Sequence, residues 1–475
     1  MPSPSSLRAV IASLLLASGL GACAALPAVT PAQAPKPPAA YASATSLSAP
    51  AADWPRDRWW TTYGDAQLNA LMDEALADAP DLAVAKARLA KAEAAAGQAR
   101  AATLPSLAAN GAYASVKQSY NNGVPPAFVP HGYNDSGRTT LDFGWELDFF
   151  GKNRAALAAA TSDADAAEAD AAEARLALST NIAAAYADLA RLFADRDAGQ
   201  DAVRIRRQSA SLTAERVANG LENQGAADQA EARLASARAD LASVDEQIGL
   251  TRNRLAALLG AGPDRGLAIA RPTVGAIKAF GLPTDLSVDL IGRRPDVVAA
   301  RLRAEAASHR IKQAKAQFYP DVNLSAYFGQ QALGLDLLTK AGSRIGSIGP
   351  AVRLPIFEGG ALRANYRGAA ADRDAAVATY NATLAKALQD VADAAVSARA
   401  LDVRLSESRA ALRASAAAHD IAVQRYRGAL STYLDVLTAE DAMIADQRAV
   451  ADLETRAFTL DIALVRALGG GFRAA

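Results

Sequence analysis

An internal duplication constrains the fold of this 475-residue chain more than any other feature. Residues 80–105 align without gaps with residues 295–320, and residues 216–260 align in the same way with residues 425–469. The aligned segments follow one another in the same order in both halves. Because the period is far longer than that of a solenoid, two copies of one half-subunit are predicted. The first copy is expected at 53–260, a linker at 261–290 and the second copy at 291–475.

Each copy is predicted to begin with a helix, followed by two strands and a long helical hairpin. The first helix of each copy ends before Pro105 or Pro320, because proline breaks a helix and favours an extended residue before it. The strands are expected near 105–119 and 138–150 and again near 318–331 and 345–357, and the hairpins at 152–260 and 360–469.

The predicted strands alternate between apolar and polar residues. Leu141, Phe143 and Trp145 share one face of the second strand, whereas Asp142 and Glu146 share the other. This period of two is typical of a strand with one apolar face. Strands of about ten residues with aromatic side chains near their ends fit a transmembrane barrel around water. A soluble β-sandwich has the same alternation and is the alternative.

Two helices without internal proline are predicted over residues 154–219 and 361–427. At 1.5 Å per residue, each is expected to extend on the order of 100 Å, which exceeds an ordinary domain. Their apolar positions are mostly alanine, so they can pack closely side by side but cannot build a thick core. These helices need neighbours, and four strands need a closed barrel because unpaired strand edges are unstable in lipid. Several copies of the chain are therefore expected to share one barrel and one helical tube.

The N-terminus has the pattern of an export signal. Arg8 supplies positive charge, and the apolar run that follows it is too short to span a bilayer. Residues 1–22 are therefore expected to be a signal peptide. Residues 23–52 are rich in Ala, Pro, Ser and Thr without apolar periodicity, and they are expected to form an extended tether.

Cys23 is the single cysteine of the chain. It follows Leu20-Gly21-Ala22, an arrangement that resembles the lipobox of bacterial lipoproteins. The resemblance implies cleavage before Cys23, acylation of this residue and anchoring in lipid. The identity of Ala24, which is not aspartate, implies delivery to the outer membrane. The alternative is a free cysteine that lies near the signal peptide by chance.

Charge and motifs exclude several classes of function. Lys and Arg together number 50, as do Asp and Glu, so the chain lacks the net positive charge that attracts nucleic acid. His131, His309 and His419 are far apart in the sequence, and no zinc-protease, phosphate-loop or nucleophile-elbow motif is present. We therefore expect no nucleic-acid partner, no enzymatic activity, no catalytic residue, no cofactor and no metal.

Short motifs distributed from Trp59 to Gly469 resemble those of the TolC-like outer-membrane efflux proteins, and the lipobox points to the NodT-type lipoprotein branch. This resemblance implies a homotrimer with a 12-strand outer-membrane barrel continuous with a long periplasmic helical barrel. It implies a periplasmic adaptor and an inner-membrane transporter as partners in a tripartite efflux system. The motifs are Trp59-Trp60, Tyr63-Gly64-Asp65, Leu68-Asn69-Ala70-Leu71, Ile291-Gly292-Arg293-Arg294-Pro295-Asp296, Tyr426-Arg427-Gly428 and Tyr433-Leu434-Asp435-Val436-Leu437.

In that family, acidic residues after the turn of the second hairpin surround a periplasmic gate. The matching positions are Asp435 and Thr438, and the threonine departs from members with a second aspartate. Asp441, one helical turn further on, is a candidate for that charge, and Leu434 is a candidate hydrophobic constriction. Thr432 and Asp435 also have capping-box spacing, so Asp435 can simply begin the returning helix. Helix packing is the corresponding alternative for Leu434.

The favoured function is therefore an outer-membrane channel that passively conducts small solutes, such as drugs or other toxic compounds. A channel of a type I protein-secretion system has the same architecture and is the first alternative. A non-conducting coiled-coil lipoprotein is the second, but it would not need four alternating strands.

Overall fold

The computed structural model describes residues 32–273, 280–284 and 286–474, without the side chains of residues 287 and 288. The predicted signal peptide, Cys23 and part of the predicted linker lie outside these residues. The described residues form two compact units. Unit 1 contains the residues up to Pro35 with Leu89–Ala167 and Ala300–Tyr380, and unit 2 contains Lys36–Arg88, Glu168–Ala299 and Asn381 onward. Each unit therefore draws residues from both predicted copies.

Helices account for most of the described chain, as expected from its alanine content. Asp65 is the N-cap of the helix Ala66–Asp78 and accepts a hydrogen bond of 3.0 Å from the Leu68 amide. Proline is the first residue of two others, a position at which its missing N–H is tolerated. The helices are α1 Ala66–Asp78, α2 Pro80–Ala101, α3 Lys152–Ala218, α4 Gln224–Leu258, α5 Asp264–Leu267, α6 Leu286–Arg293, α7 Pro295–Ala316, α8 Ala361–Arg427 and α9 Tyr433–Ala467.

The duplication is visible in the lengths of the two helical hairpins. Helices α3 and α8 contain 67 residues each, and helices α4 and α9 contain 35 residues each. A turn of five residues joins α3 to α4, and a turn of the same length joins α8 to α9. The two copies have thus kept the same secondary structure although most of their residues differ.

Four antiparallel strands of unit 1 form one sheet in the order β1-β2-β3-β4. Strands β2 and β3 come from different copies and pair through the register Leu141↔Phe328. Strand β4 ends at Arg353, four residues before its expected end. The strands are β1 Ser106–Val116, β2 Asn134–Leu147, β3 Asp321–Leu333 and β4 Arg344–Arg353.

The register gives the sheet an apolar face and a polar face. Large side chains on the apolar face are exposed in this chain: Leu107 by 70%, Phe328 by 64% and Ile348 by 77%. On the opposite face, Asn110 and Thr140 both donate hydrogen bonds to the Asp142 carboxylate. The predicted alternation therefore places apolar and polar residues on separate faces.

Aromatic residues build the main core of unit 2. Trp59, Trp60 and Tyr63 are almost fully buried beside Phe458, and the Tyr63 and Phe458 rings meet edge to face with centroids 4.7 Å apart. Asp65 accepts hydrogen bonds of 2.8 Å from both the Tyr186 hydroxyl and the Thr273 amide. The Trp-Trp and Tyr-Gly-Asp motifs that carried the family resemblance are thus part of the structural core.

The predicted tether contacts the fold from Ala32 onward. Leu282 and Pro50 share a backbone hydrogen bond of 2.8 Å, and the Ala52 amide returns one of 3.0 Å to Leu282. In unit 2, Leu47 and Ala49 pack against buried residues of α6, α8 and α9. Its described part is therefore held in place along its length, which the low-complexity sequence did not indicate.

None of the helices in the described part of the chain has the length and apolarity needed to cross a membrane.

Candidate functional site at the ends of the helical hairpins

The two hairpin turns of unit 2 have the same backbone geometry. In the first, the Leu221 amide donates to the Arg216 carbonyl at 2.8 Å, and in the second the Leu430 amide donates to Arg425 at 2.8 Å. Each leucine follows a left-handed turn and is exposed, by 62% at Leu221 and 71% at Leu430. Both turns therefore end their helices in the same way and present a leucine to solvent.

A tyrosine pair fills the space between the hairpin ends. Tyr426 and Tyr433 are 1% and 5% exposed, with ring centroids 5.9 Å apart. The Arg216 guanidinium lies 4.5 Å from the Tyr426 ring centroid and donates a 2.9 Å hydrogen bond to the Tyr426 carbonyl. Burial raises the pKa of the Tyr433 hydroxyl to about 12, so this side chain is uncharged at physiological pH. This cluster joins the end of α3 to the last turn of α8 and the first residue of α9.

Asp435 is the third residue of α9 and takes part in the capping box at the start of that helix. Its Oδ2 atom accepts hydrogen bonds of 2.9 Å from both the backbone amide and the hydroxyl of Thr432, within a capping box. These donors hold the pKa of the exposed Asp435 carboxyl below its usual range. Asp435 is therefore ionised at neutral pH and can carry charge while it caps the helix.

Leu434 and Thr438 lie on the same exposed side of α9 as Asp435. Leu434 is 63% exposed, and the Thr438 hydroxyl donates a 2.8 Å hydrogen bond back to the Leu434 carbonyl. This bond satisfies the Thr438 hydroxyl within its own helix. Because threonine is neutral, this position carries no charge. Three of the four candidate gate residues are thus brought together at the beginning of α9.

Asp441, the fourth candidate, is held by arginines of the first hairpin. Its Oδ1 atom lies 2.9 Å from Nη2 of Arg206, and its Oδ2 atom lies 3.5 Å from Nη1 of Arg233. A carboxylate with two cationic partners contributes less field to its surroundings than Asp435, whose hydrogen-bond donors are the neutral amide and hydroxyl of Thr432. Asp441 is therefore an interhelical ion-pair residue in this chain.

A buried carboxylate next to Asp441 was missed in the sequence. Glu440 is 1% exposed, and its Oε2 atom accepts a hydrogen bond of 2.6 Å from Ser209 on α3. Arg206 lies 3.4 Å from its Oε1 atom, yet burial dominates and raises the pKa of the Glu440 carboxyl. The sequence spacing could have indicated that Glu440 is buried, because it occupies a position of the apolar stripe that runs through Val436, Leu437 and Ile444.

Within the residues that the structure describes, no three His, Cys, Asp or Glu side chains are grouped as metal ligands. A cavity of about 260 Å³ lies between α3, α8 and α9, and Ser209, His419 and Tyr433 line it. The arrangement of charges and apolar side chains at the hairpin ends can hold helices together and present polar groups to a passage.

The fold is that of a duplicated subunit with one four-stranded sheet and two long helical hairpins, and comparison with known proteins gives its family. The model of the family described as outer membrane efflux protein matches the chain twice, at residues 71–261 and 286–470. The two matches fall on the two predicted copies. The chain belongs to the outer membrane efflux protein family, which confirms the resemblance inferred from its motifs.

Relatives and solved structures agree with this assignment. The chain is 36% identical to fusaric acid resistance protein FusA of Burkholderia cepacia over 70% of this chain, a match that spans 65% of FusA. It is 30% identical to multidrug resistance outer membrane protein MdtP of Shigella flexneri over 89% of this chain and 88% of MdtP. The crystal structure of outer membrane protein VceC from Vibrio cholerae superimposes with a TM-score of 0.84 at 46% identity, covering 88% of this chain and all of VceC. The expected function, an outer-membrane efflux channel component, is thereby confirmed.

Proposed function

We propose that three copies of this chain form a 12-strand outer-membrane barrel continuous with a long periplasmic helical barrel. The observation that carries this proposal is the order of the sheet, in which β1 and β4 are the outermost strands. An unpaired edge in lipid leaves amide and carbonyl groups without partners, so β1 of one copy pairs with β4 of the next until the barrel closes. Three copies of four strands give 12.

The two faces of the sheet support the same assembly. Leu141, Phe328 and Ile348 lie on the apolar face and are at least half exposed, which suits contact with lipid tails. The opposite face carries the Asn110–Asp142 hydrogen bond and Glu146, which suits a water-filled lumen. In the assembled channel, α3 to α4 and α8 to α9 of the three copies form the wall of the tube.

The mature chain is anchored to the outer membrane through lipid on Cys23 after removal of residues 1–22. The lipobox pattern before Cys23 supports this anchor. Mass spectrometry of the protein from membranes tests it, since an acylated N-terminal cysteine is expected and Cys23→Ser should abolish both cleavage and acylation. An unmodified Cys23 in the membrane-bound protein would contradict the anchor.

The channel works with a periplasmic adaptor and an inner-membrane transporter. Leu221 and Leu430, exposed on turns of the same geometry, offer small apolar contacts on which an adaptor can seat. The names of FusA and MdtP, which refer to fusaric acid and to multidrug resistance, support small toxic compounds as cargo. The channel passively conducts what the transporter selects.

The gate is formed at the beginning of α9, where Asp435 supplies the charge. Leu434 narrows the passage, Thr438 lines it as a neutral polar group, and Asp441 supports α9 through Arg206 and Arg233. A ring of carboxylates at a constriction favours cations. Because its pKa is lowered by the Thr432 hydrogen bonds, Asp435 keeps this charge throughout the neutral range.

Reconstitution in planar bilayers tests both the channel and its gate. The full-length protein is expected to run as a crosslinkable trimer and to give cation-preferring channels, and a protein without conductance would overturn the proposed assembly. Asp435→Ala should raise single-channel conductance and lower cation preference. Unchanged conductance and unchanged cation preference would remove Asp435 from the gate.

Two further variants separate charge from capping. Asp435→Asn retains an oxygen for the helix cap but loses the charge, so it should lower cation preference as Asp435→Ala does. Thr432→Val removes the hydroxyl that bonds to Asp435 and keeps the charge, so its cation preference should equal that of the wild type. If Thr432→Val reproduces the effect of Asp435→Ala, Asp435 acts only as a cap.

A further inference from the structure

Side chains of α8 hold the backbone of the N-terminal segment at its first described residues. In unit 1, the Asp374 carboxylate accepts the Ala32 amide at 3.0 Å and the Gln33 amide at 3.3 Å. Arg373 donates a 2.9 Å hydrogen bond to the Gln33 carbonyl and also pairs with Asp374 at 3.1 Å. Three of the four backbone polar groups of Ala32 and Gln33 are thereby satisfied by two adjacent side chains of one helix.

The same kind of contact continues in unit 2. Asn381 accepts the Lys36 amide at 2.8 Å through its side chain and the Tyr41 hydroxyl at 3.0 Å through its carbonyl. Arg399 donates a 3.2 Å hydrogen bond to the Ser46 carbonyl. These contacts hold the segment as far as the residues that pack against the core.

Asn381 and Arg399 are five helical turns apart and so lie on one face of α8. Between them α8 rises by about 27 Å, while the segment advances ten residues from Lys36 to Ser46, or about 2.7 Å per residue. That advance is closer to an extended chain than to a helix. The segment therefore advances along α8, with a short 3-10 helix at Pro38–Ala40 on its way.

Recognition through the backbone explains how a low-complexity sequence can be held. Arg373, Asp374 and Arg399 contact amides and carbonyls, which every residue except proline provides in full. The Arg373 and Asp374 side chains are 19% and 21% exposed, so the segment and their mutual ion pair cover most of both. The Ala32 and Gln33 amides also lower the pKa of the Asp374 carboxyl, which keeps it ionised and a strong acceptor.

We propose that Asp374 and Asn381 form a clamp on the backbone of residues 32–36 and so fix the position of the chain at Ala32. The functional consequence rests on the proposed lipidation of Cys23. Cys23 lies nine positions before Ala32, which limits the reach of the lipid from the clamp to about 30 Å. Asp374 and Asn381 are positioning residues for the anchor, and they confine it to the neighbourhood of α8.

Hydrogen exchange of the backbone amides of residues 32–36 tests the clamp in the full-length protein in detergent. The Ala32, Gln33 and Lys36 amides lie outside any helix or strand. Their exchange rates should nevertheless be at least roughly tenfold lower than those of an unstructured peptide. Asp374→Ala should restore fast exchange at Ala32 and Gln33 and leave Lys36 protected. Asn381→Ala should have the opposite pattern.

Asp372→Ala is the matched control, because Asp372 is an exposed acidic residue of α8 two positions before Asp374. It should leave all three amides protected. Fast exchange of Ala32 and Gln33 in the wild type would overturn the clamp. So would protection that survives Asp374→Ala, provided that the amides of α8 itself stay protected in the same sample.

The Cys23→Ser protein separates the clamp from the anchor. Its residues 32–36 should remain protected, because the clamp depends on α8 and not on lipid. If mass spectrometry finds no acyl group on Cys23 of the wild type, the anchor is wrong while the exchange data still decide the clamp. If Cys23→Ser itself abolishes the protection, the clamp is a by-product of membrane attachment and the proposal fails.

Discussion

The Ser209 hydroxyl donates a 2.6 Å hydrogen bond to Oε2 of Glu440 and thereby joins α3 to α9 through a carboxylate that is 1% exposed. A carboxylate this deeply buried is costly unless its oxygens have donors. Oε1 has no hydrogen-bond donor among the described residues, although Nε of Arg206 lies 3.4 Å from it, and Arg206 donates to Asp441 at 2.9 Å. The position of α9, and with it the candidate gate at Asp435, therefore depends on a few polar contacts near the hairpin ends.

Ser209→Ala should destabilise the protein, because it removes the donor to Oε2 of Glu440 and leaves this oxygen buried. We expect the free energy of unfolding to fall by about 1–3 kcal/mol. Ser236→Ala is the control, since the Ser236 hydroxyl bonds to the Ala232 carbonyl of its own helix on an exposed part of α4. Denaturant unfolding of the detergent-solubilised protein measures both variants. Equal stability of the two variants would show that the Glu440 contact contributes nothing.

Glu173 should make the stability of the protein fall as pH rises. Burial, with the Asp296 carboxylate as the next cause, raises the pKa of Glu173 from 4.5 to about 7. Since the folded-state pKa exceeds the unfolded one, its contribution is fully present below about pH 4.5 and is lost as pH rises through about 7. The full loss is about 3 kcal/mol at 1.36 kcal/mol per pKa unit.

Melting temperatures between pH 5 and pH 8 check the effect of Glu173. Glu173→Gln should retain a higher melting temperature at pH 8 than the wild type and should flatten the pH dependence. Glu168→Gln, at an exposed position of the same helix, should melt like the wild type throughout. A Glu173→Gln curve parallel to that of the wild type would contradict the raised pKa.

The two hairpin turns allow a reciprocal test of backbone strain. Gly220 has φ +69°, and the equivalent position of the second turn is Ala429 at φ +58°. A left-handed conformation costs a residue with a side chain about 1–2 kcal/mol, so Ala429→Gly should stabilise the protein by up to about 1 kcal/mol. Gly220→Ala should destabilise it, and this effect should come from the backbone alone because a Cβ at Gly220 meets nothing within 4 Å. Calorimetry should show melting shifts of opposite sign, and shifts of the same sign would refute the argument.

The strands could be predicted because their information is local. Alternation places Leu141 and Asp142 on opposite faces whatever the rest of the chain does, and the structure has β2 through both residues. The capping of α9 by Asp435 was also local, since Thr432 and Asp435 are three residues apart. Motifs then supplied the family, and the family supplied the function.

The contacts between helices could not be predicted in the same way. Arg206 and Asp441 are 235 positions apart on alanine-rich helices, and few large apolar residues mark which face of such a helix is buried. The binding of Ala32 and Gln33 by Asp374 could not be predicted either, because it involves backbone groups and leaves no pattern in the sequence of the segment. The pairing of buried charges and the path of the N-terminal segment therefore required the structure.

Arg294 should be the least replaceable residue of the Arg-Arg-Pro-Asp motif. Arg294 is 8% exposed. Its guanidinium donates hydrogen bonds of 3.0 and 2.6 Å to the two oxygens of Asp296 and one of 3.0 Å to Asp390. A lysine keeps the charge but cannot reproduce this planar fork, so Arg294→Lys should lower the free energy of unfolding by about 2 kcal/mol or more. Arg293→Lys is the control, because that guanidinium lies over the Trp54 ring at 4.7 Å and its replacement should cost less than about 1 kcal/mol. Denaturant unfolding decides between them, and an Arg293→Lys protein less stable than Arg294→Lys would show that the motif is held by its stacking contact instead of its buried ion pairs.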